Sequence, residues 1–244
     1  MSHEHDIAVG EVSKAVFEIL KEEFPHLEFR FRNAIDKKEI NEKLSGVDSR
    51  LGVTLFVEKA SVKPDGGIIE VKDPKDKSGK WRVVLVCESK HQGKDIENIS
   101  KGIFVDKKAN QELMMAGNAI ERSHKNINEL RNFMIDENHF PYVLFLQGSN
   151  FLTESITVKR LDGTQAVLKH DVGTLNRIDR LTGANYSLPI NQNSCENICI
   201  SVGANSVMLQ AVSIYTKPTV WTIEEMLPIM MEVSHTSLEI MCLT

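Results

Sequence analysis

Near the start of the chain, Ile7, Val9, Val12, Val16, Ile19 and Leu20 recur at helical spacing. They predict a helix from Ile7 to Phe24, stopped by Pro25. A shorter helix is predicted from Asp36 to Leu44, with Asp36 as its N-cap. The pattern then changes to short runs rich in β-branched residues. Strands are predicted at Val53–Val57, Ile68–Val71 and Arg82–Cys87, with Asp65-Gly66-Gly67 and Lys77-Ser78-Gly79 as the turns between them. Helical spacing returns over Ala109–Glu137, where Ile120, Ile127, Leu130, Phe133 and Met134 share one face. Gly117 interrupts this stretch and marks a candidate start for the main helix. Tyr142–Gly148 is apolar almost throughout and too short for a helix, which predicts a central strand buried on both faces. A basic helical patch surrounds Arg177 and Arg180. Strands at Ile198–Val202 and Val207–Tyr215 then precede a last helix from Ile223 to Val233. Apolar strands alternating with helices predict an α/β fold, a central mixed sheet flanked by helices.

The 244 residues hold no repeat, no low-complexity tract and no Gly/Ser/Pro-rich linker, so residues 1–244 read as one domain. No apolar run approaches the roughly 18 residues of a membrane helix, and the polar N-terminus lacks the basic and apolar parts of a signal peptide, which predicts a cytoplasmic protein. Four cysteines at this length suggest no disulfide framework. Cys195 and Cys199 lack two further ligands at zinc-site spacing. The net charge of −5 argues mildly against nucleic acid, although a cleft can gather Lys and Arg beneath an acidic exterior.

The chemistry concentrates where the Arg82–Cys87 strand runs into Glu88-Ser89-Lys90. With a period of two, Val84, Val86, Glu88 and Lys90 share one face, and Val83, Leu85, Cys87 and Ser89 share the other. Glu88 and Lys90 would project side by side where the strand leaves the core. If Ile68–Val71 pairs antiparallel with this strand through the Lys72–Lys80 loop, Asp65 comes to lie beside Glu88. Two carboxylates and a backbone carbonyl suit Mg²⁺, a hard cation that keeps several waters. Such an ion polarises a phosphodiester, and an adjacent Lys can bind the phosphate or orient the attacking water. Pro-Asp, a gap, then Glu-x-Lys is the signature of PD-(D/E)xK nucleases. The same residues also fit ordinary roles, since Asp-Gly-Gly is a common hairpin turn and Glu-x-Lys a common surface pair.

The wider chain resembles the EcoRI family of type II restriction endonucleases. The likeness runs in order through "AVGEVSK", "SVKPDGGIIEVKD", "WRVVLV", "KHQGKDIENI", "AGNAIERSHKNI", "HFPYVLFLQGSNFLTE" and "LNRIDRLTGANY", from about residue 6 to 238. The resemblance implies a restriction-endonuclease-like sheet and a homodimer that cuts double-stranded DNA at GAATTC after the G, with Mg²⁺. A cognate methyltransferase is implied functionally, not as a bound subunit. It makes Asp65, Glu88 and the Ser89 carbonyl the metal ligands, Lys90 the catalytic lysine and Lys63 a phosphate contact. "MMAGNAIERSHKN" matches the family's recognition segment and the start of its recognition helix. Asn118 suits adenine, Arg122 suits base acceptors, and Met114, Met115 and Ala116 lie beside pyrimidine edges. Gly117, Ala119, Lys125 and Asn126 complete this DNA-binding stretch. Glu121 would hold an Arg of either subunit, in a network with Arg122, Arg177 and Arg180. Gln92 and Lys94 begin a DNA-embracing arm at about 92–110, which Lys107 and Lys108 close.

By residue type alone, Glu121, Arg122 and Lys125 fit a solvated helix face. Asn118 also fits a helix N-cap, the methionines a core, and His91 and His124 structural positions. Departures from the family pattern are Met115 and Gly183 in place of alanines, a longer Val71–Trp81 loop and shorter ends. The shorter ends leave open a DNA-binding relative that has lost cleavage or tight binding. A repair nuclease on the same fold is a third reading, disfavoured by "AGNAIER" and the two arginines. The intact Asp65, Glu88 and Lys90 favour an enzyme.

Overall fold

A computed structural model describes residues 3–53, 60–91, 95–104, 119–170 and 177–244, without the side chains of 3–7 and 119. Helix α1 (His3–Glu23) leads into strand β1 (Glu28–Arg32), the short strand β2 (Ile35–Asp36) and helix α2 (Lys37–Val47). Strands β3 (Ser61–Val62), β4 (Gly67–Lys72) and β5 (Arg82–His91) follow, then helices α3 (Asp95–Ser100) and α4 (Ala119–Phe133). The chain continues through β6 (Tyr142–Gln147), β7 (Ile156–Lys159), β8 (Gln165–Leu168) and α5 (Ile178–Ala184). It closes with β9 (Ile198–Val202), β10 (Asn205–Leu209), β11 (Ser213–Lys217) and α6 (Ile223–Ile240). Among the described residues no helix is long and apolar enough to cross a membrane.

The centre is a five-stranded mixed sheet in the order β1-β4-β5-β6-β11. β1, β4 and β5 run antiparallel to their neighbours, while β5, β6 and β11 run parallel. Every residue of β6 is buried, as its unbroken apolar run predicts for a strand covered on both faces. Alternation along the strands divides the core in two. Ile69, Leu85, Cys87, Val143 and Phe145 pack with α1 and α6 residues such as Val12, Val16, Met230 and Val233. Ile68, Val86, Tyr142, Leu144 and Ile214 pack on the other face with Ile40, Ile127, Leu130 and Leu181 from α2, α4 and α5.

Helix α4 is held mainly by this second core. Each fully buried Leu or Ile contributes about 1.5–3 kcal/mol. The Lys37–Glu129 ion pair links it to α2, and Lys43 of α2 pairs with Asp136 just past its end; such partly solvated pairs contribute roughly 0–1 kcal/mol.

Several boundaries differ from the sequence expectation, for identifiable reasons. β5 does not stop at Cys87 but runs to His91, because β6 pairs with it from Val86 onward. A β-bulge at Val84 breaks the strict alternation: Ile69 faces Leu85 while Glu70 faces Val83. Val84 therefore joins Leu85 on the α1/α6 side, and only Val86, Glu88 and Lys90 keep the expected common face. The Val207–Tyr215 run is two strands in different sheets, separated at Gln210, whose amide donates to the Met134 carbonyl at 2.8 Å. α6 extends beyond Val233 to Ile240, since buried Ser234 donates to the Met230 carbonyl at 2.8 Å and so continues the inner face. β9 and β10 form an exposed hairpin that carries Cys199, whereas Cys195 is buried with its pKa pushed up to about 12 by burial. Residues 54–57 of the strand expected at Val53–Val57, the first part of the Ala109–Glu137 helix, and residues 92–94 and 105–110 of the arm lie outside the described residues, whereas the arm's residues 95–104 are described and carry α3.

Candidate active site

The site is built where β4 and β5 end beside each other. Pro64–Gly67 is a tight turn, closed by the Gly67 N–H donating to the Pro64 carbonyl at 3.0 Å. Two glycines make it possible. Gly67 has φ +77°, a conformation that side chains resist. Gly66 donates its N–H to the Cys87 carbonyl at 2.8 Å and lies so close to β5 that an added Cβ would stand 2.6 Å from the Cys87 Cβ. The turn is thereby pinned to β5, and Asp65 leans toward the outer end of that strand.

Glu88 and Lys90 project from β5 on the same face. The Lys90 ammonium donates to Asp65 Oδ2 at 2.5 Å and to the Ser89 carbonyl at 3.1 Å, and pairs with Glu88 Oε1 at 2.6 Å. Burial alone would lower the Lys90 pKa; the charges of Glu88 and Asp65 outweigh it and hold the ammonium above its ordinary value. Lys90 is therefore a cation at neutral pH.

Glu88 was expected where the strand leaves the core, yet it is fully buried. An isolated carboxylate there would carry a severe desolvation cost. Its oxygens are instead met by three neutral donors from two elements. Tyr142 on β6 donates its hydroxyl to Oε2, and Asn126 on α4 donates to the same oxygen at 3.2 Å. Ser123, also on α4, donates to Oε1 at 3.4 Å. Burial, then the nearby Glu88 charge, raises the Tyr142 pKa well above the usual phenol value, so this hydroxyl remains a donor. Ser123 and Tyr142 were not singled out in the sequence. The only signal was a phenol inside an apolar strand, which needs a polar partner once buried.

This geometry suits a divalent cation. Asp65, Glu88 and the Ser89 carbonyl present three hard oxygens around one positive centre, which Lys90 occupies with its ammonium. Among the described residues no group of three or more His, Cys, Asp or Glu side chains is placed to hold a metal. An ion here would rest on two carboxylates, one carbonyl and water or phosphate oxygens, the donor set that Mg²⁺ prefers.

The trio opens into a cleft of about 570 Å³. Ser61, Lys63, Asp65, Glu88, Ser89, Lys90 and His91 form one side, and Arg122, Lys125 and Asn126 of α4 form the other. Eight residues predicted from the sequence thus meet in one cavity, with four cationic side chains, Lys63, Lys90, Arg122 and Lys125, around its acids. Glu121 is exposed on the same helix. Arg177 caps α5 with its N–H donating to the Asn150 carbonyl at 2.7 Å, and Arg180 is exposed one turn on. Neither lines the cleft. Gly183 lies within α5 with open space around it. Gln92, Lys94, Lys107, Lys108, Met114, Met115, Ala116, Gly117 and Asn118 lie outside the described residues, as does the Ala119 side chain.

The comparisons with known proteins agree over nearly the whole chain. The sequence model of one family, Restriction endonuclease EcoRI, matches residues 1–243. The chain is 57% identical over 239 residues to the type II restriction enzyme EcoRI of Escherichia coli, covering 97% of this chain and 85% of that enzyme. It is 54% identical over 239 residues to the type II restriction enzyme RsrI of Cereibacter sphaeroides, covering 98% and 85%.

Proposed function

This chain belongs to the EcoRI family of restriction endonucleases and is a site-specific DNA-cutting enzyme, and we propose that it hydrolyses double-stranded DNA at GAATTC, after the G, with Mg²⁺. The observation that carries the reading is the convergence of Asp65, Glu88, the Ser89 carbonyl and Lys90 in a cleft whose opposite wall bears Arg122 and Lys125.

Asp65, Glu88 and the Ser89 carbonyl would hold the ion. When bound, Mg²⁺ supplies Lewis-acid polarisation of the scissile phosphodiester. Lys90, freed from the two carboxylates, donates to a non-bridging phosphate oxygen and orients the attacking water. The water oxygen bonds to phosphorus and the bond to the 3′ oxygen breaks. The water's OH stays on phosphorus and its released proton ends, through solvent, on the leaving 3′ oxygen, giving a 3′ hydroxyl and a 5′ phosphate. Lys63 holds the backbone beside the cut.

Base reading falls to the segment that leads into α4. Asn118 presents its amide to adenine, Arg122 donates in the major groove, and Met114, Met115 and Ala116 contact pyrimidine edges. Gly117, Ala119, Lys125 and Asn126 complete the DNA-binding stretch. Gln92 and Lys94 open the arm around the duplex. Glu121 joins Arg122, Arg177 and Arg180 in a network that spans two copies of the chain. A homodimer follows from the palindrome, since two-fold protein symmetry matches a two-fold site.

A plasmid of known sequence, digested with Mg²⁺ and mapped at its ends, tests this directly. Four-base 5′ overhangs at every GAATTC are expected. Cuts at another sequence, or binding in Ca²⁺ without cutting in Mg²⁺, would overturn the assignment. Arg122→Lys keeps the charge but loses planar two-point donation. It is expected to lose about 1–3 kcal/mol of discrimination, read from cleavage rates on GAATTC against single-base variants. Unchanged rates and fidelity would clear Arg122 of base reading.

A further inference from the structure

Glu88 is held asymmetrically. Its Oε2 receives the Tyr142 hydroxyl from the buried interior and the half-buried Asn126 amide from α4. Its Oε1 faces Lys90 at 2.6 Å, with a longer 3.4 Å contact from Ser123 beside it. One oxygen is anchored inward and the other is presented to the cleft. A carboxylate has about four acceptor positions, and these donors approach on both oxygens, so the side chain has little freedom to turn.

Of the three neutral donors, Tyr142 is the most firmly fixed. It lies on β6 in register with Val86, is fully buried, and stacks on Phe140 with ring centroids 5.7 Å apart. Ser123 and Asn126 belong instead to α4, the helix that also carries Arg122 and Lys125 in the cleft wall. An ordinary core tyrosine satisfies its hydroxyl with a backbone carbonyl or water. This one spends it on the carboxylate that pairs with Lys90.

We propose that Tyr142 is a positioning residue: its hydroxyl, together with Asn126 and Ser123 of α4, fixes the buried Glu88 carboxylate so that Oε1 faces the cation site. The inference rests on the proposed function in taking Glu88 as a divalent-cation ligand. Groups that orient ligands in this way change metal affinity or activity by about 10–100-fold when removed.

Tyr142→Phe removes one oxygen and keeps the ring stack. Titration calorimetry with Mn²⁺, on the protein alone and with a GAATTC duplex, is expected to show a 10–100-fold loss of affinity. Single-turnover cleavage slows at fixed Mn²⁺ and recovers as Mn²⁺ is raised. Duplex affinity without divalent ions stays at the wild-type value. Mn²⁺ affinity within twofold of wild type overturns the proposal, as does a slower rate that added Mn²⁺ does not restore. Should Tyr142→Phe fail to fold, Asn126→Ala titrated without DNA decides by the same loss or its absence. Wild-type protein that takes up Mn²⁺ but does not cut GAATTC would sink the proposed specificity, while the Mn²⁺ comparison would still decide the role of Tyr142.

Discussion

Lys90→Ala is expected to abolish cleavage while leaving GAATTC-specific binding in place. The ammonium pairs directly with both carboxylates, at 2.5 Å from Asp65 and 2.6 Å from Glu88. Removing a group that orients or transfers a proton in the rate-determining step costs roughly 10²–10⁴-fold. On the proposed assignment base reading falls to α4 and the segment before it, so a gel shift in Ca²⁺ should remain specific. The variant also leaves a fully buried Glu88 without its counter-charge. Breaking a buried pair destabilises by as much as about 3–5 kcal/mol, but Tyr142, Asn126 and Ser123 still donate to this carboxylate, so a smaller loss is expected. Added divalent ions should restore part of it, because they replace the missing positive charge. Single-turnover cleavage and urea unfolding with and without Ca²⁺ measure both effects. Wild-type turnover by Lys90→Ala would remove Lys90 from the chemistry.

Gly66→Ala should damage the site from beneath. The new methyl would stand 2.6 Å from the Cys87 Cβ and 3.0 Å from the Cys87 carbonyl oxygen, on a central strand that cannot yield cheaply. The turn must move away, which strains its N–H bond to that carbonyl and draws Asp65 from Lys90. Overpacking of this kind costs about 1–3 kcal/mol. Misplacing a reacting group by about 1 Å can cost about 100-fold in rate. The expected result is a modest fall in the unfolding midpoint with a much larger fall in cleavage at saturating DNA. Gly183→Ala is the matched control. Its methyl meets nothing within 4 Å inside α5, so cleavage should persist and the helix should gain up to about 1 kcal/mol. Equal activity of Gly66→Ala and wild type would show that the turn has room to adjust.

The central sheet could be read in the sequence where residue type and spacing agreed. Tyr142–Gln147 is an unbroken apolar run, and the β4–β5 hairpin carries glycine turns at one end and Val-Val-Leu-Val in its second strand. Asp65, Glu88 and Lys90 follow from that pairing, because the turn and the period of two place them together. Other features needed contacts from distant parts of the chain. β1 reads Glu-Phe-Arg-Phe-Arg and lacks β-branched residues; it becomes a strand by pairing with β4, with Arg30 stacked 4.3 Å from the Trp81 ring. β7 and β8 are four residues each and pack on a small separate cluster around Ile99 and Leu152. The burial of Glu88 could not be seen locally, since the groups that make it tolerable lie at positions 123, 126 and 142.

The bulge at Val84 makes the register of this site unequally sensitive to the loss of single residues. Val84 is the extra residue of its strand, and without it Val83, Leu85 and Val86 would alternate regularly between the two cores. Deleting Val84 should therefore preserve which way Glu88 and Lys90 point. Deleting Leu85 instead leaves Val84 to take its place on the α1/α6 side, again with the same phase downstream. Deleting Val86 moves Leu85 into its place and is absorbed in the same way, whereas deleting Ser89 would put Glu88 and Lys90 on opposite faces whatever becomes of the bulge. The bulge can thus absorb the loss of one residue upstream of Glu88, whereas the spacing between the acid and the amine is fixed by the chemistry.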